Sequence, residues 1–246
     1  MILRRISQHV KDQNWFAVGL DFVIVVIGVL LAIQVANWNE VRQERAEETR
    51  IVDRIRVDFD RIEDDAQRSL MYHESIASDL KAMVRALRAG ELPESDVPAF
   101  ERALFLGQAF QTSADHSGTF TELLSSGRAN LLSDKELLNE LVAYEDFLER
   151  FAVAQQYFVD MAFGVQAPFS AAFQYDIGAP FFSDLLQLDA ESPAIGAYDF
   201  NAMASDEEFM NAAEQLVFVH SLYTMWRTRI RDRITAIQHQ LGETAP

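Results

Sequence analysis

The chain has 246 residues, a formal net charge of −17 and no cysteine. The missing thiols exclude disulfides, thiol catalysis, zinc ribbons and iron–sulfur clusters; so acidic a surface repels phosphate, and nucleic acid is not an expected partner. Gly and Pro are scarce, at 10 and 6, and no Val/Ile/Thr-rich runs occur outside one N-terminal apolar segment, so the fold is predicted to be all-α.

Residues 1–14 place Ile2, Leu3, Ile6 and Val10 at helical spacing beside Arg4, Arg5 and Lys11. That pattern predicts a short interfacial amphipathic segment lying among lipid headgroups. Residues 15–38 follow as a predicted transmembrane helix. Trp15 and Trp38 bracket a run whose only charge is Asp21. At 1.5 Å per residue the two tryptophans stand about 35 Å apart, enough to cross a hydrocarbon core. The run is too long for the apolar stretch of a signal peptide, and Gln34-Val35-Ala36 is a poor cleavage site, so an uncleaved anchor in the lipid bilayer is expected.

Orientation rests on charge. Basic residues tie across the anchor, with Arg4, Arg5 and Lys11 before it and Arg42, Arg45 and Arg50 after it. The short basic tail and Glu40, Glu44, Glu47 and Glu48 beyond the anchor favour a cytoplasmic N-terminus. The expected location is a bacterial inner membrane crossed once, with the C-terminal domain in the periplasm.

An ionised carboxylate in hydrocarbon is costly and tends to face water or another helix. Asp21, Gly28, Ala32, Val35 and Asn39 fall within about 40° of one line on a helix. Gly28-x-x-x-Ala32 is a small-xxx-small step that allows close helix approach, so this line is a candidate transmembrane contact face and a homo-oligomer is expected. The alternative is that Asp21, about 9 Å from Trp15 along the axis, only reaches the headgroups.

Residues 39–246 read as an acidic helical-bundle domain, with the anchor continuing into a long helix up to Gly90. Its stripe is Val52, Ile55, Phe59, Ile62, Ala66, Ser69, His73, Ile76, Leu80, Met83 and Leu87, and it is weaker between Val41 and Val52. Ser69 and His73 interrupt the stripe, and the expected cause is a buried face drifting onto Leu70 and Ala77. A break at Gly90–Pro98 precedes a short helix over 99–110, the polar loop 112–118 and a second short helix ending at Gly127, which suits a left-handed C′ residue. Ser133-x-x-Glu136 and Ser205-x-x-Glu208 read as capping boxes. They open two long helices, striped by Leu137, Leu141, Tyr144, Leu148, Phe151, Phe158 and Ala162, and by Phe209 through Leu241. The bundle is expected to be antiparallel.

Between these helices, residues 164–204 combine Pro and Gly with Phe169, Phe173, Tyr175, Phe181, Phe182, Tyr198 and Phe200. An irregular insertion is predicted, its rings either plugging the bundle end or rimming an apolar pocket.

No catalytic, cofactor-binding or metal-binding residues are predicted. Asp115-His116-Ser117 has triad residue types without triad spacing. The histidines lack paired metal spacing, and the carboxylates from Asp58 to Asp65 fan around a helix without a calcium loop. Arg227, Arg229, Arg231 and Arg233 are expected to pair within the chain, with the acidic first helix as partner; lipid headgroups are the alternative. Two stretches, Asn14-Trp15 with LDFVIVVIGVLLAIQVANWNE and TFTELLSSGRANLLSDKELLNELVAYE, resemble a family of uncharacterised bacterial single-anchor membrane proteins. The resemblance implies the anchor and the helical domain and carries no activity. The expected function is therefore a membrane-anchored interaction or scaffold protein. The alternative is a periplasmic ligand-binding or sensing module acting through a membrane protein partner.

Overall fold

The computed structural model describes residues 15–179 and 194–243. Residues 1–14, with their expected interfacial segment, and Phe181 and Phe182 lie outside that range.

Helix α1 runs unbroken from Trp15 to Ala89, 75 residues. Nothing in this stretch breaks it, because no Pro or Gly follows Gly28 until Gly90. Gly90 ends it with φ +69°, its amide bonding Leu87 O at 3.2 Å while the Glu91 amide reaches Ala86 O at 3.3 Å. The chain divides into two units, Met1–Ile51 and Val52–Pro246. The division falls where the weak stripe between Val41 and Val52 gives way to the strong one.

In the first unit, every side chain from residue 19 to residue 46 is exposed. Leu20, Phe22, Ile24, Val25, Leu30, Leu31 and Val35 are each at least half uncovered. Among the described residues this is the one helix long and apolar enough to cross a membrane, and its most apolar window is entirely unburied. A core helix of a water-soluble protein has that same composition but hides it. Ten such side chains left in water would forfeit about 15–30 kcal/mol, more than the net stability of a domain.

In the second unit the rest of α1 is followed by a 3-10 turn (Glu94–Asp96), α2 (Val97–Leu106), α3 (Gly118–Ser125), a 3-10 turn (Ala129–Leu131) and α4 (Lys135–Gly164). Then come α5 (Gln166–Ala172), β1 (Phe173–Tyr175), β2 (Ile195–Tyr198), α6 (Phe200–Ser205) and α7 (Glu207–Glu243). The architecture is all-α, with one small two-stranded exception.

Helix α7 runs antiparallel to both other long helices. Against α1, Arg88 meets Glu214, His73 meets His220 and Glu63 meets Gln238. Against α4, Met161 meets Gln215, Gln155 meets Tyr223 and Phe147 stacks near Trp226. Two helices antiparallel to the same third helix are parallel to each other, so the chain between α1 and α4 must return the full length of the bundle. It does so as α2, an irregular connection over 107–117, and α3. Gly107 lies near Leu80, Gln111 against His73, Ser117 and Thr119 on Asp58, and Glu122 on Arg54. This descending segment is the fourth layer of the antiparallel bundle.

The stripes meet in one core. Ile55, Phe59, Leu80, Leu137, Leu141, Leu216, Val219, Ile230 and Ile237 are buried to 0% exposure, so heptad spacing located the buried faces correctly. On α1 the buried face takes in Leu70 and Ala77, as expected, and keeps the polar positions of the stripe as well. Ser69 and His73 are as buried as their neighbours, and the connection on that side gives the His73 ring a polar partner at the Gln111 amide.

Both expected capping boxes move by one residue. Asp134, not Ser133, accepts from the amides of Glu136 and Leu137 at 2.9 and 3.0 Å. Asp206, not Ser205, accepts from those of Glu208 and Phe209 at 2.9 and 3.3 Å. A carboxylate one residue nearer the first turn reaches the same amides and carries a charge that the helix N-terminus favours. Gly127 takes φ +69° as expected and closes α3. The first short helix lies earlier than expected, at Val97–Leu106, since Pro98 suits the first helical turn.

The aromatic segment is not wholly irregular. Besides α5 and α6 it contains an antiparallel ladder, with Phe173 opposite Tyr198 and Gln174 opposite Ala197. A short edge-to-edge pair of this kind satisfies backbone groups that Pro and Gly keep out of helix.

Candidate functional site

Two groupings stand out. The first is the uncovered line on α1. Asp21, Gly28, Ala32, Val35 and Asn39 share one side of a continuous helix and are all exposed. A Cβ added at Gly28 meets nothing within 4 Å, so the backbone there is bare and can be approached closely. At the far end of the apolar stretch, the Arg42 guanidinium lies 6.0 Å from the Trp38 ring centre.

The second grouping is buried, and periodicity alone did not reveal its role. It forms where the connection 107–117 passes α1, α4 and α7. Irregular backbone inside a bundle must find partners for its own N–H and C=O groups; four side chains provide them here, and a fifth holds the connection by a side-chain carboxylate. Tyr144 on α4 donates to Asp115 O at 2.9 Å, and Tyr223 on α7 donates to Gln111 O at 3.2 Å. Arg227, 1% exposed, grips the Asp115 carboxylate with two bonds of 2.6 and 3.0 Å. His220 Nε2 lies 2.9 Å from Gly107 O, His73 Nε2 lies 3.3 Å from the Gln111 amide, and the two Nδ1 atoms are 3.2 Å apart.

These distances dictate one proton arrangement. A carbonyl only accepts, so His220 Nε2 carries the hydrogen and its Nδ1 is bare. His73 Nδ1 must then donate to His220, which leaves His73 Nε2 to accept from the Gln111 N–H. Both rings are neutral, and every ring nitrogen has a partner. Burial holds His73 down to about 3, helped by the neighbouring His220, and holds His220 down to about 4. Burial likewise raises Tyr223 to about 12 and raises Tyr144 further. Phe110 stacks on His220 at 4.9 Å between ring centres, and Tyr223 sits 4.1 Å from His73. A sequence signal existed: His220, Tyr223 and Arg227 fall at bundle spacing after Leu216, on the buried face of α7.

The remaining candidate residues scatter. Asp115, His116 and Ser117 point to three different partners, respectively Arg227, Glu145 and Asp58. Burial pushes Asp58 up, but the Thr119 amide and the Ser117 and Thr119 hydroxyls outweigh it and hold the carboxyl below its usual value. The acidic run on α1 is taken up locally by Asp53–Arg56 and Asp65–Arg68, while Gln238 reaches Asp60 and Glu63. Arg227 does not pair with the acidic first helix, because its position on α7 faces the connection instead. Arg231 pairs with Asp232, and Arg233 stacks 4.8 Å from the Phe147 ring. Among the described residues no group of three or more His, Asp or Glu could hold a metal ion.

The described rings of the aromatic segment pack on the bundle. Phe169 and Phe173 are buried, with Phe169 4.9 Å from Phe209. Tyr198 and Phe200 are half-buried against Phe100, and Tyr175 is exposed. Beside them an open groove of about 430 Å³ runs between α5, α6 and the start of α7, lined by Pro168, Ala171, Met203 and Phe209 with Asp199 and Asp206 at its edge. Both carboxylates already cap helices.

No protein-family model, curated protein or solved structure matches the chain.

Proposed function

We propose that the chain is a single-pass membrane-anchored interaction protein. Its N-terminus faces the cytoplasm of a bacterium, its helical domain stands in the periplasm, and its anchors associate with one another. Kinship with the uncharacterised single-anchor family belongs to the same reading. The observation that carries it is the bare apolar stretch of α1, exposed from residue 19 to residue 46 and continuous with the bundle helix. Such a surface is tolerable only in lipid or against another chain. The line from Asp21 to Asn39 supports self-association, because small residues let two backbones approach closely and a carboxylate in hydrocarbon gains from a partner.

The test is association of the full-length chain in membranes, followed by crosslinking. Gly28→Leu, which holds the backbones apart, is expected to lose the crosslinked dimer. Val26→Leu, about 160° round the helix from Gly28, is expected to keep it. If both behave like the parent, the small-residue face is not the interface. A reporter active only in the periplasm, fused after Pro246, is expected to be active; activity of a cytoplasmic reporter alone would reverse the orientation.

A second reading, ligand binding on behalf of a membrane partner, draws on the open groove at α5 and α6. Its small and apolar side chains, with Asp199, Asp206 and Glu208 among them, suit a ligand with an apolar body and a polar or cationic group. Saturable binding of an apolar fluorescent probe that is lost in the Ala171→Trp variant would favour it.

A further inference from the structure

We propose that the His73–His220 pair is an acid-released latch: an added proton breaks the chain of hydrogen bonds that holds the 107–117 connection in the bundle, and the connection detaches while the long helices stay folded. The neutral pair has one arrangement, Gln111 N–H to His73 Nε2, His73 Nδ1–H to His220 Nδ1, and His220 Nε2–H to Gly107 O. Its two proton-free nitrogens are both occupied as acceptors. A third proton on either one sets donor against donor, at 3.2 Å between the rings or 3.3 Å at the Gln111 amide. His73 could then turn its new hydrogen toward Gln111 O, 3.4 Å away, but the Gln111 amide would lose its acceptor inside the bundle.

The surroundings offer the new charge no partner. Asp115, on the connection, is already gripped at both oxygens by Arg227 of α7, itself a buried cation near the rings. Tyr72 of α1, Tyr144 of α4 and Tyr223 of α7 stay neutral phenols, raised by burial. Gln155 of α4 is uncharged, and Glu145 is engaged by His116 at 2.7 Å. Both imidazoles are accordingly held well below their ordinary range, chiefly by burial.

The connection is the piece that yields. Residues 109–115 form no helix or strand, and Thr112 and Ala114 already face solvent. Gly107, Gln111 and Asp115 are tied to the bundle through the imidazoles, Tyr144, Tyr223 and Arg227. The long helices keep their own backbone bonds and their apolar stripes. Acid thus breaks the tie at the Gln111 amide or the link between the two rings and leaves a charge buried against a segment that has no regular structure of its own, while His220 Nε2–H still donates to Gly107 O.

The experiment is hydrogen exchange on the full chain in detergent micelles between pH 6.5 and 4.5, corrected for the intrinsic rate. The expected result is an opening equilibrium for the 107–117 amides that rises by up to about 100-fold per pH unit, about tenfold for each histidine. Amides at the centres of α4 and α7 are expected to stay protected. Opening of 107–117 that is independent of pH, or that occurs only together with α4 and α7, overturns the proposal. Imidazole nitrogen NMR on the same unmutated chain at pH 7 is expected to show one Nδ1-protonated and one Nε2-protonated ring, and two rings of the same tautomer would also overturn it.

Discussion

Among the described residues Arg227 is the largest fully buried side chain, and the Asp115 carboxylate neutralises its guanidinium. Removing one partner of such a pair strands the other charge away from water, at a cost of about 3–5 kcal/mol. Arg227→Met is therefore expected to lower stability by about that amount in urea unfolding. The Arg227→Met/Asp115→Leu double variant is expected to recover most of the loss, since an apolar pair of similar volume needs no counter-charge. The histidines make a separate contribution with a definite sign. Their folded values, about 3 for His73 and about 4 for His220, lie below the ordinary histidine value, so the unfolded chain takes up protons first. The stability they support is complete above about pH 6.5 and falls as pH drops toward 4, by about 1.4 kcal/mol per unit for each ring. Unfolding midpoints at pH 7, 6 and 5 measure this. The decline is expected to flatten in the His73→Phe/His220→Leu variant.

At the scale of the element, the caps give the sharpest test. Asp206 holds two amides at the start of α7, whereas the Ser205 hydroxyl bonds back to Asn201 O at 2.8 Å within α6. Asp206→Ala is expected to cost about 1 kcal/mol and Ser205→Ala a few tenths, a difference visible in thermal melts as roughly 2–4 °C. The S-x-x-E patterns announced each helix start correctly and named the wrong residue. In both places a Ser-Asp pair offers two capping side chains in succession, and which one caps depends on backbone angles at the junction. Asp134, with φ −69° and ψ 104°, holds the extended conformation from which its carboxylate reaches forward over the first turn. The α1 stripe presents the opposite case. Its spacing put Ser69 and His73 on the buried side, but a single helix carries no record of which distant segment will bring it polar partners.

For the whole molecule, the unequal burial of the two units sets the behaviour in solution. The unit Val52–Pro246 has a filled core and ample surface charge, whereas the unit ending at Ile51 presents bare apolar helix. A chain starting at Val52 is expected to be soluble and strongly helical by circular dichroism without detergent or metal. The full chain is expected to partition into membranes and to need detergent for extraction. Precipitation of the shorter chain, or extraction of the full chain by salt alone, would contradict this.

Local chemistry, legible in the sequence, determined the helical class, the uncovered apolar stretch of α1, the buried faces of the three long helices and the left-handed glycine at position 127. Periodicity, length and the shortage of breakers act within a few turns of one helix, and no distant contact is needed to read them. The tertiary structure alone decided that α1 and α4 run parallel, that the segment between them returns as a fourth layer, and that this layer is irregular at its middle. From that follow the pairing of His73 with His220, 147 residues apart, and the seizure of Asp115 by Arg227 from 112 residues away. The physical reason is that an irregular backbone within a bundle must be satisfied by whichever side chains packing brings to it, and packing depends on all the helices at once.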